Sequence, residues 1–129
     1  MILNTDGASR GNPGPAAYGV YSPSGVEVAV AIGVATNNVA EWRGFLAALD
    51  AAVAAGAGEV EIRADSQLVV RQFLGEYKMK AAHLSRFLDE AHAKARRIRR
   101  LSVVHVPRAE NREADRLANR ALDERPRTP

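Results

Sequence analysis

Four acidic residues stand where their side chains could act together in one reaction, namely Asp6, Glu41, Asp65 and Asp115. The first and third end apolar runs typical of strands, whereas the other two come near the start of helical patterns. Carboxylates brought together repel one another, and divalent cations remove that conflict. Oxygen ligands without His or Cys select Mg²⁺ or Mn²⁺, and two such ions about 3.5–4 Å apart can hold the attacking and leaving oxygens of a phosphoryl displacement. The pattern predicts metal-dependent phosphodiester chemistry.

A turn rich in glycine and proline follows the first of these acids directly, over residues 7–19. Glycine lacks the Cβ atom that would collide with a bulky partner, so this turn could lie against a large ligand. An ordinary hairpin turn, in which Asp is common, is the alternative interpretation. A phosphate-binding P-loop is disfavoured, because no Gly-Lys-Ser or Gly-Lys-Thr follows the glycines.

The elements that must position these acids follow a mixed α/β order. Three strands come first, then a helix, a fourth strand, two helices, a fifth strand and a last helix. The expected bounds of the first eight are residues 1–6, 18–22, 26–33, 39–55, 60–65, 67–74, 80–100 and 101–106. A strand, a helix and a strand joined by short links form a parallel pair with a right-handed crossover. Asp65 would then lie at the carboxyl edge of the sheet, where α/β folds place their sites.

The first long helix carries a carboxylate in a costly position. Glu41 stands four residues before Phe45, in line with the apolar stripe of that helix. An ionised carboxylate on a buried stripe is unfavourable unless it has a partner. Asn37 or Asn38 could cap the start of the same helix, because a short amide oxygen accepts bonds from free N–H groups.

Composition limits the class of protein. The 129 residues suffice for one domain, which we expect over residues 1–124, with residues 125–129 as a short frayed tail. There is no cysteine, which excludes disulfides and thiolate metal sites. The formal charge of +3 permits nucleic-acid binding without requiring it. No segment is typical of a signal peptide or a membrane span, so we expect a cytoplasmic protein without membrane contact.

Four motifs that together cover nearly the whole chain resemble type 1 ribonuclease H. They are TDGASRGNPGP at residues 5–15, TNNVAE at 36–41, DSQ at 65–67 and ENREAD at 110–115. The resemblance implies a ribonuclease H-like α/β fold, with a mixed five-stranded sheet of three antiparallel strands followed by parallel strands and flanked by helices. It also implies hydrolysis of the RNA strand of RNA–DNA hybrids, leaving 5′-phosphate and 3′-hydroxyl ends.

The same resemblance assigns roles to the four acids as catalytic metal ligands. Asp6 would bridge two Mg²⁺ ions, which Mn²⁺ could replace, and Asp115 would help to hold the ion that activates water. Glu41 and Asp65 would help to hold the ion that stabilises the leaving 3′ oxygen. Substrate contacts are implied for six further residues: Gly11, Asn12, Asn37, Asn38 and Gln67 with the RNA strand, and Thr36 with a DNA phosphate. Amide side chains both donate and accept hydrogen bonds, which suits a 2′-hydroxyl.

Three departures from the family pattern stand out. Residues 74–82 are too few for the basic, Trp-containing protrusion of many relatives. Arg108 occupies the loop that often carries a His, and we count it among the catalytic residues. Val34 replaces an Arg found beside the DNA-phosphate Thr of some relatives. Such a short form resembles archaeal and actinobacterial members, and in some actinobacteria a domain like this is fused to a phosphatase-like domain.

Two other functions remain open. A module could bind hybrids without cutting them, although an intact set of four acids argues against this. Another nuclease of the same fold, such as a resolvase or integrase core, could act on DNA; the amide side chains of Asn37, Asn38 and Gln67 disfavour it. Double-stranded RNA is a further possible substrate, and we expect a monomer.

Overall fold

The computed structural model describes residues 1–126 and contains one mixed sheet of five strands. In chain order the strands are β1 (Ile2–Ser9), β2 (Gly14–Ser22), β3 (Val26–Ala35), β4 (Glu59–Ala64) and β5 (Arg100–His105). Their order across the sheet is β3-β2-β1-β4-β5. The first three strands pair antiparallel, whereas β1 with β4 and β4 with β5 pair parallel. The predicted sheet is confirmed.

Helices cover the two faces of this sheet. They are α1 (Asn37–Ala54), α2 (Gln67–Phe73), α3 (Ala82–Ala95) and α4 (Arg112–Glu124), the last preceded by a 3₁₀ turn at Arg108–Glu110. Tyr18 packs against the cluster that includes α1, whereas its neighbour Ala17 packs with Leu122 of α4. Successive strand residues point to opposite faces, so α1 and α4 lie on opposite sides of the sheet.

The larger apolar cluster lies between the sheet, α1 and α3. Trp42, Phe45 and Leu49 are fully buried within it, and Phe45 and Leu49 belong to the helical stripe that the sequence predicts. The rings of Trp42 and Phe45 meet edge to face with centroids 5.8 Å apart. The indole N–H of Trp42 donates to Gln72 Oε1 at 3.2 Å, which satisfies a polar group inside the core.

Several predicted bounds are corrected by the structure. The second strand begins at Gly14 rather than at residue 18. The third helix ends at Ala95 rather than at residue 100, because the chain must turn before Arg100 pairs with Glu59 in the sheet. Ile98, which continues the helical stripe in sequence, is still buried although it lies outside the helix.

The cap of α1 also differs from the prediction. Thr36 is the capping residue, and its Oγ1 accepts a hydrogen bond of 3.2 Å from the Val39 N–H. Asn37 and Asn38 are already helical, so the expectation that one of them caps the helix is wrong. Both asparagine side chains are exposed and remain available for other contacts.

No helix between residues 1 and 126 is both long enough and apolar enough to cross a membrane. α4 ends at Glu124, where the expected domain also ends. Residues 127–129 of the predicted tail lie outside the described residues.

Candidate active site

Three of the four predicted acids meet at the carboxyl edge of the parallel strands. Asp6 lies on β1, Asp65 follows the end of β4, and Glu41 lies in the first turns of α1. One carboxylate oxygen from each lies within 4.8 Å of the others. Asp6 and Glu41 are buried, whereas Asp65 is partly exposed. The carboxylate cluster, as we call these three residues, is therefore a compact set of oxygen ligands open to solvent on one side.

A glycine lets the helix bring Glu41 so close to β1. A Cβ atom on Gly7 would lie 2.3 Å from the main-chain nitrogen of Glu41, which no real side chain tolerates. The N–H of Gly7 donates a hydrogen bond to Glu41 Oε1. The glycine after Asp6 thus serves the approach of α1 to the sheet, whereas the sequence suggested room for a ligand.

Burial and mutual repulsion make the charged form of the carboxylate cluster unfavourable without a cation. Burial raises the pKa of Asp6 well above its ordinary value, and the charges of Glu41 and Asp65 raise it further. Burial also raises the pKa of Glu41, although hydrogen bonds from the Asp6 carboxyl and the Gly7 N–H act in the opposite direction. A bound cation would offset this penalty, so the cluster favours cation binding.

The fourth acid faces the same space from the other side of the sheet edge. Asp115, in the first turn of α4, lines a cavity of about 490 Å³ together with the carboxylate cluster. It lies outside the group of three whose ligand atoms are mutually close. Arg108 lines this cavity too, with its Nη2 3.9 Å from Asp115 Oδ1. The side chain of Arg108 is 82% exposed, so it is held only loosely.

A buried pair of asparagines joins α4 to β1. Asn111, at the start of α4, is 1% exposed and donates from Nδ2 to the main-chain oxygen of Thr5 at 2.8 Å. Asn4 Nδ2 in turn donates to Asn111 Oδ1 at 3.0 Å. This network fixes the helix that carries Asp115 to the residue that precedes Asp6. The sequence did not predict this network, because nothing in the ENREAD motif distinguishes Asn111 as a buried residue.

The residues predicted to contact substrate divide into two groups. Asn37 lines the cavity, and its main-chain N–H donates to Asn12 Oδ1 at 2.9 Å. The others lie outside the cavity: Gly11, Asn12, Thr36, Asn38 and Gln67. Gly11 has a positive φ of 86°, a conformation that favours glycine, and it lies in the turn that brings Asn12 to the start of α1.

The cavity is also lined by side chains that the sequence did not single out: Ala8, Ser9, Arg10, Ser66, Asn119 and Leu122. Ser66 caps α2 by accepting from the Val69 N–H at 3.3 Å. The DSQ motif that contains Ser66 was the available signal for this residue. Arg10 lies within the TDGASRGNPGP motif, but nothing in the sequence indicated its contact with Asn119, which depends on α4 folding back onto the β1–β2 turn.

The chain is similar to known proteins over most of its length. A family model described as "Reverse transcriptase-like" matches residues 4–121. The bifunctional protein Rv2228c of Mycobacterium tuberculosis is 48% identical in an alignment of 129 positions, which covers 95% of this chain and 35% of that protein. The ribonuclease HI of Halobacterium salinarum is 47% identical over 124 residues, covering 92% of this chain and 62% of the relative. The chain thus spans about a third of the length of the first of these relatives and less than two thirds of the length of the second.

Solved structures agree with these matches. The N-terminal RNase H domain of Rv2228c superposes with a TM-score of 0.89 at 48% identity, covering 95% of this chain and 98% of that domain. LC11-RNase H1, solved in complex with an RNA/DNA hybrid, has a TM-score of 0.86 at 41% identity, covering 95% and 96%. The chain belongs to the reverse transcriptase-like family and, within it, to the type 1 ribonucleases H, in the short form of its archaeal and actinobacterial relatives.

Proposed function

We propose that the chain is a metal-dependent endoribonuclease that hydrolyses the RNA strand of RNA–DNA hybrids and leaves 5′-phosphate and 3′-hydroxyl ends. The observation that carries this proposal is the carboxylate cluster, whose oxygens lie within 4.8 Å of one another at the wall of an open cavity. A phosphate backbone is attracted by basic groups and repelled by carboxylates. A module that only binds hybrids would gain nothing from such a cluster.

The donor set fits hard divalent cations. All members of the cluster are carboxylates, and no His of the described chain joins them. Mg²⁺ and Mn²⁺ prefer such oxygen ligands, and a cation would favour the charged forms that burial penalises. We propose two Mg²⁺ ions as cofactors, with Mn²⁺ able to replace them. When bound, they would stabilise the charge that develops on the attacking and leaving oxygens of an in-line displacement.

The proposed roles of the chain's own residues follow from their positions. Asp6, the central carboxylate of the cluster, would ligate both ions, with Asp115 helping at one and Glu41 and Asp65 at the other. The hydrogen bond from the Gly7 N–H keeps the Glu41 carboxylate turned toward the cluster. Arg108 would supply a fixed positive charge beside the cavity, because a guanidinium keeps its proton throughout the working pH range.

Recognition of the hybrid is proposed for the residues around the cavity. Asn37, Asn38, Gln67 and the Gly11–Asn12 turn would contact the RNA strand, where amide groups can bond the 2′-hydroxyl that DNA lacks. The Thr36 hydroxyl accepts the Val39 N–H and keeps its own proton to donate to a DNA phosphate. The hybrid-bound structure of LC11-RNase H1 supports this class of substrate.

Four broader features remain proposals. We infer that residues 1–124 act as one domain, in keeping with the single sheet and with a family match over residues 4–121. We also propose that this domain works as a monomer in the cytoplasm, a reducing compartment compatible with its lack of cysteine. We also propose double-stranded RNA as a further substrate.

Cleavage of defined duplexes tests the proposal. RNA–DNA, RNA–RNA and DNA–DNA duplexes of one sequence, each labelled on one strand, are incubated with the protein with and without Mg²⁺. We expect the RNA strand of the hybrid to be cut predominantly, only with the metal, and to leave 3′-hydroxyl ends. Binding of the hybrid without any cleavage would favour the binding module, and preferential cutting of DNA would favour a resolvase-like nuclease.

A further inference from the structure

The exposed face of α4 that looks toward the β1–β2 turn carries three polar residues in line: Asp115, Asn119 and Asp123. They follow one another at intervals of four, so their side chains lie along one face of the helix. Arg10, from the turn after β1, reaches this face and places its Nη2 2.7 Å from Asp123 Oδ1 and 3.4 Å from Asn119 Oδ1. Two segments far apart in sequence meet here beside the cavity.

Asn119 connects Arg10 to the fourth acid, Asp115. Its Nδ2 donates to the main-chain oxygen of Asp115 at 3.0 Å and to Asp115 Oδ1 at 3.2 Å. The reverse orientation of the amide would place Asn119 Oδ1 against two acceptors and its NH₂ group against the Arg10 guanidinium. Both contacts would be repulsive, so Arg10 and Asp115 together determine which way the amide points.

These contacts leave one carboxylate oxygen of Asp115 available to bind a ligand. Asn119 bonds Oδ1, and the nearest Arg108 nitrogen also approaches Oδ1, at 3.9 Å. Within residues 1–126, no hydrogen bond or ion pair of the Asp115 side chain uses Oδ2. A partly exposed carboxylate on a helix has rotational freedom that binding of a ligand must remove, and a fixed donor removes it in advance.

We propose that Arg10 and Asn119 are positioning residues that hold the Asp115 carboxylate ready to bind a divalent cation. The proposal rests on the proposed function, since it assigns Asp115 to the metal. Hydrogen-bond partners of metal ligands orient those ligands, and their loss commonly weakens metal affinity or activity about 10–100-fold. Arg10 acts one step further away, through the orientation of the Asn119 amide.

Stability alone does not account for the arrangement. The Arg10–Asp123 ion pair is well exposed, with side chains 42% and 66% accessible. Exposed pairs of this kind contribute little to folding. Variants at Arg10 and Asn119 should therefore fold, so their effect on the site can be measured.

The test compares Asn119→Ala, Arg10→Gln and the double variant with the wild-type protein. Arg116→Ala is the matched control, because Arg116 makes ion pairs from another face of α4, to Glu27 at 3.0 Å and Glu113 at 2.9 Å. Mn²⁺ binding is titrated by calorimetry without nucleic acid, and the Mg²⁺ concentration for half-maximal hybrid cleavage is measured separately.

We expect Asn119→Ala to weaken Mn²⁺ binding about tenfold and to raise the half-maximal Mg²⁺ concentration by a similar factor. Arg10→Gln should shift both in the same direction but less, and should add nothing in the Asn119→Ala background, because the two residues act in series. Arg116→Ala should leave both quantities unchanged.

Unchanged metal affinity in Asn119→Ala would overturn the proposal, as would additive effects of the two substitutions. A higher KM for the hybrid in Arg10→Gln with an unchanged metal midpoint would make Arg10 a substrate contact and remove it from the series. The calorimetric arm separates the two hypotheses. Weaker Mn²⁺ binding by Asn119→Ala, with no hybrid cleavage by the wild-type protein, would overturn the proposed function and support the positioning role.

Discussion

The side-chain amide of Asn111 donates a hydrogen bond of 2.8 Å to the main-chain oxygen of Thr5, across 106 residues of sequence. Thr5 immediately precedes Asp6, and the main-chain oxygen of Asn111 accepts the main-chain N–H of Asp115 at 3.1 Å. One buried residue therefore ties the backbone of the first acid to that of the fourth. The relative position of the two carboxylates follows from this contact and from the packing of α4 on the sheet.

We predict that Asn111→Ala destabilises the protein by about 2–3 kcal/mol. The substitution removes the side-chain donor to the buried Thr5 carbonyl and leaves the Asn4 amide with only its longer bond to the Glu110 main-chain oxygen, at 3.4 Å. Urea unfolding in the presence of a chelator measures this without any contribution from metal. Asn38→Ala, which removes an exposed asparagine, is the control and should change stability little. A loss for Asn111→Ala as small as that of the control would show that the network does not hold α4.

A second prediction concerns the metal-free protein and pH. The pKa values of Asp6 and Glu41 are raised on folding, so the folded state binds more protons than the unfolded state. The contribution of these two groups to the free energy of unfolding should therefore be largest near or below about pH 4. It should fall as the pH rises and the carboxyl groups ionise.

Asp6→Asn should relieve this penalty. Without metal, we expect the variant to melt higher than the wild-type protein at about pH 8, by roughly 4 °C for each kcal/mol gained. The difference should shrink toward about pH 4, where the wild-type carboxyl is protonated. Saturating Mg²⁺ should raise the melting temperature of the wild-type protein more than that of the variant. Asp89→Asn, an exposed carboxylate on α3, is the control; a variant at Asp6 that melts lower at the higher pH would contradict the electrostatic explanation.

Much of this site could be predicted from local patterns. Asp6 and Asp65 stand where apolar runs end, and the sheet edge they share follows from the handedness of strand–helix–strand connections. Glu41 stands out because a carboxylate in line with a buried apolar stripe is energetically costly unless it has a partner. The motifs of the family then set the four acids in one order and predicted the mixed sheet that the structure contains.

Contacts between distant segments could not be predicted in this way. Nothing in the sequence pairs Asn4 with Asn111, or Arg10 with the polar face of α4, because both depend on where helices settle on the sheet. Details of the helix ends were not predicted either. Thr36 rather than Asn37 caps α1, and α3 ends at Ala95 although the apolar pattern continues beyond it. Ile98 keeps its buried place although the backbone around it changes.

A third prediction concerns Arg108. Its exposed side chain lies 3.9 Å from Asp115 Oδ1, and a guanidinium there can act as a fixed positive charge. We expect Arg108→Ala to lower turnover about tenfold, or some 1.4 kcal/mol, with a pH–rate profile of unchanged shape. The measurement is the rate at saturating hybrid from about pH 6 to 9, a range in which a His in this loop would titrate.

Arg112→Ala, at an exposed position nearby, is the control for a general loss of positive charge and should keep the wild-type rate. An unchanged maximal rate in Arg108→Ala would leave Arg108 at most a binding residue. An inflection of the pH profile that disappears in Arg108→Ala would contradict the fixed-charge role.

The carboxylate cluster is proposed above as the metal-dependent centre of an RNA-cutting enzyme, and Asp65→Asn is the sharpest test of that role. The amide keeps the shape of the side chain and removes the charge that holds a cation. Cleavage of the labelled RNA strand of a hybrid is followed for the wild-type protein and the variant at saturating Mg²⁺, together with melting temperature and hybrid binding. We predict that the variant folds and binds the hybrid but does not cut it; turnover within a few-fold of the wild-type rate would contradict the proposed role of the cluster.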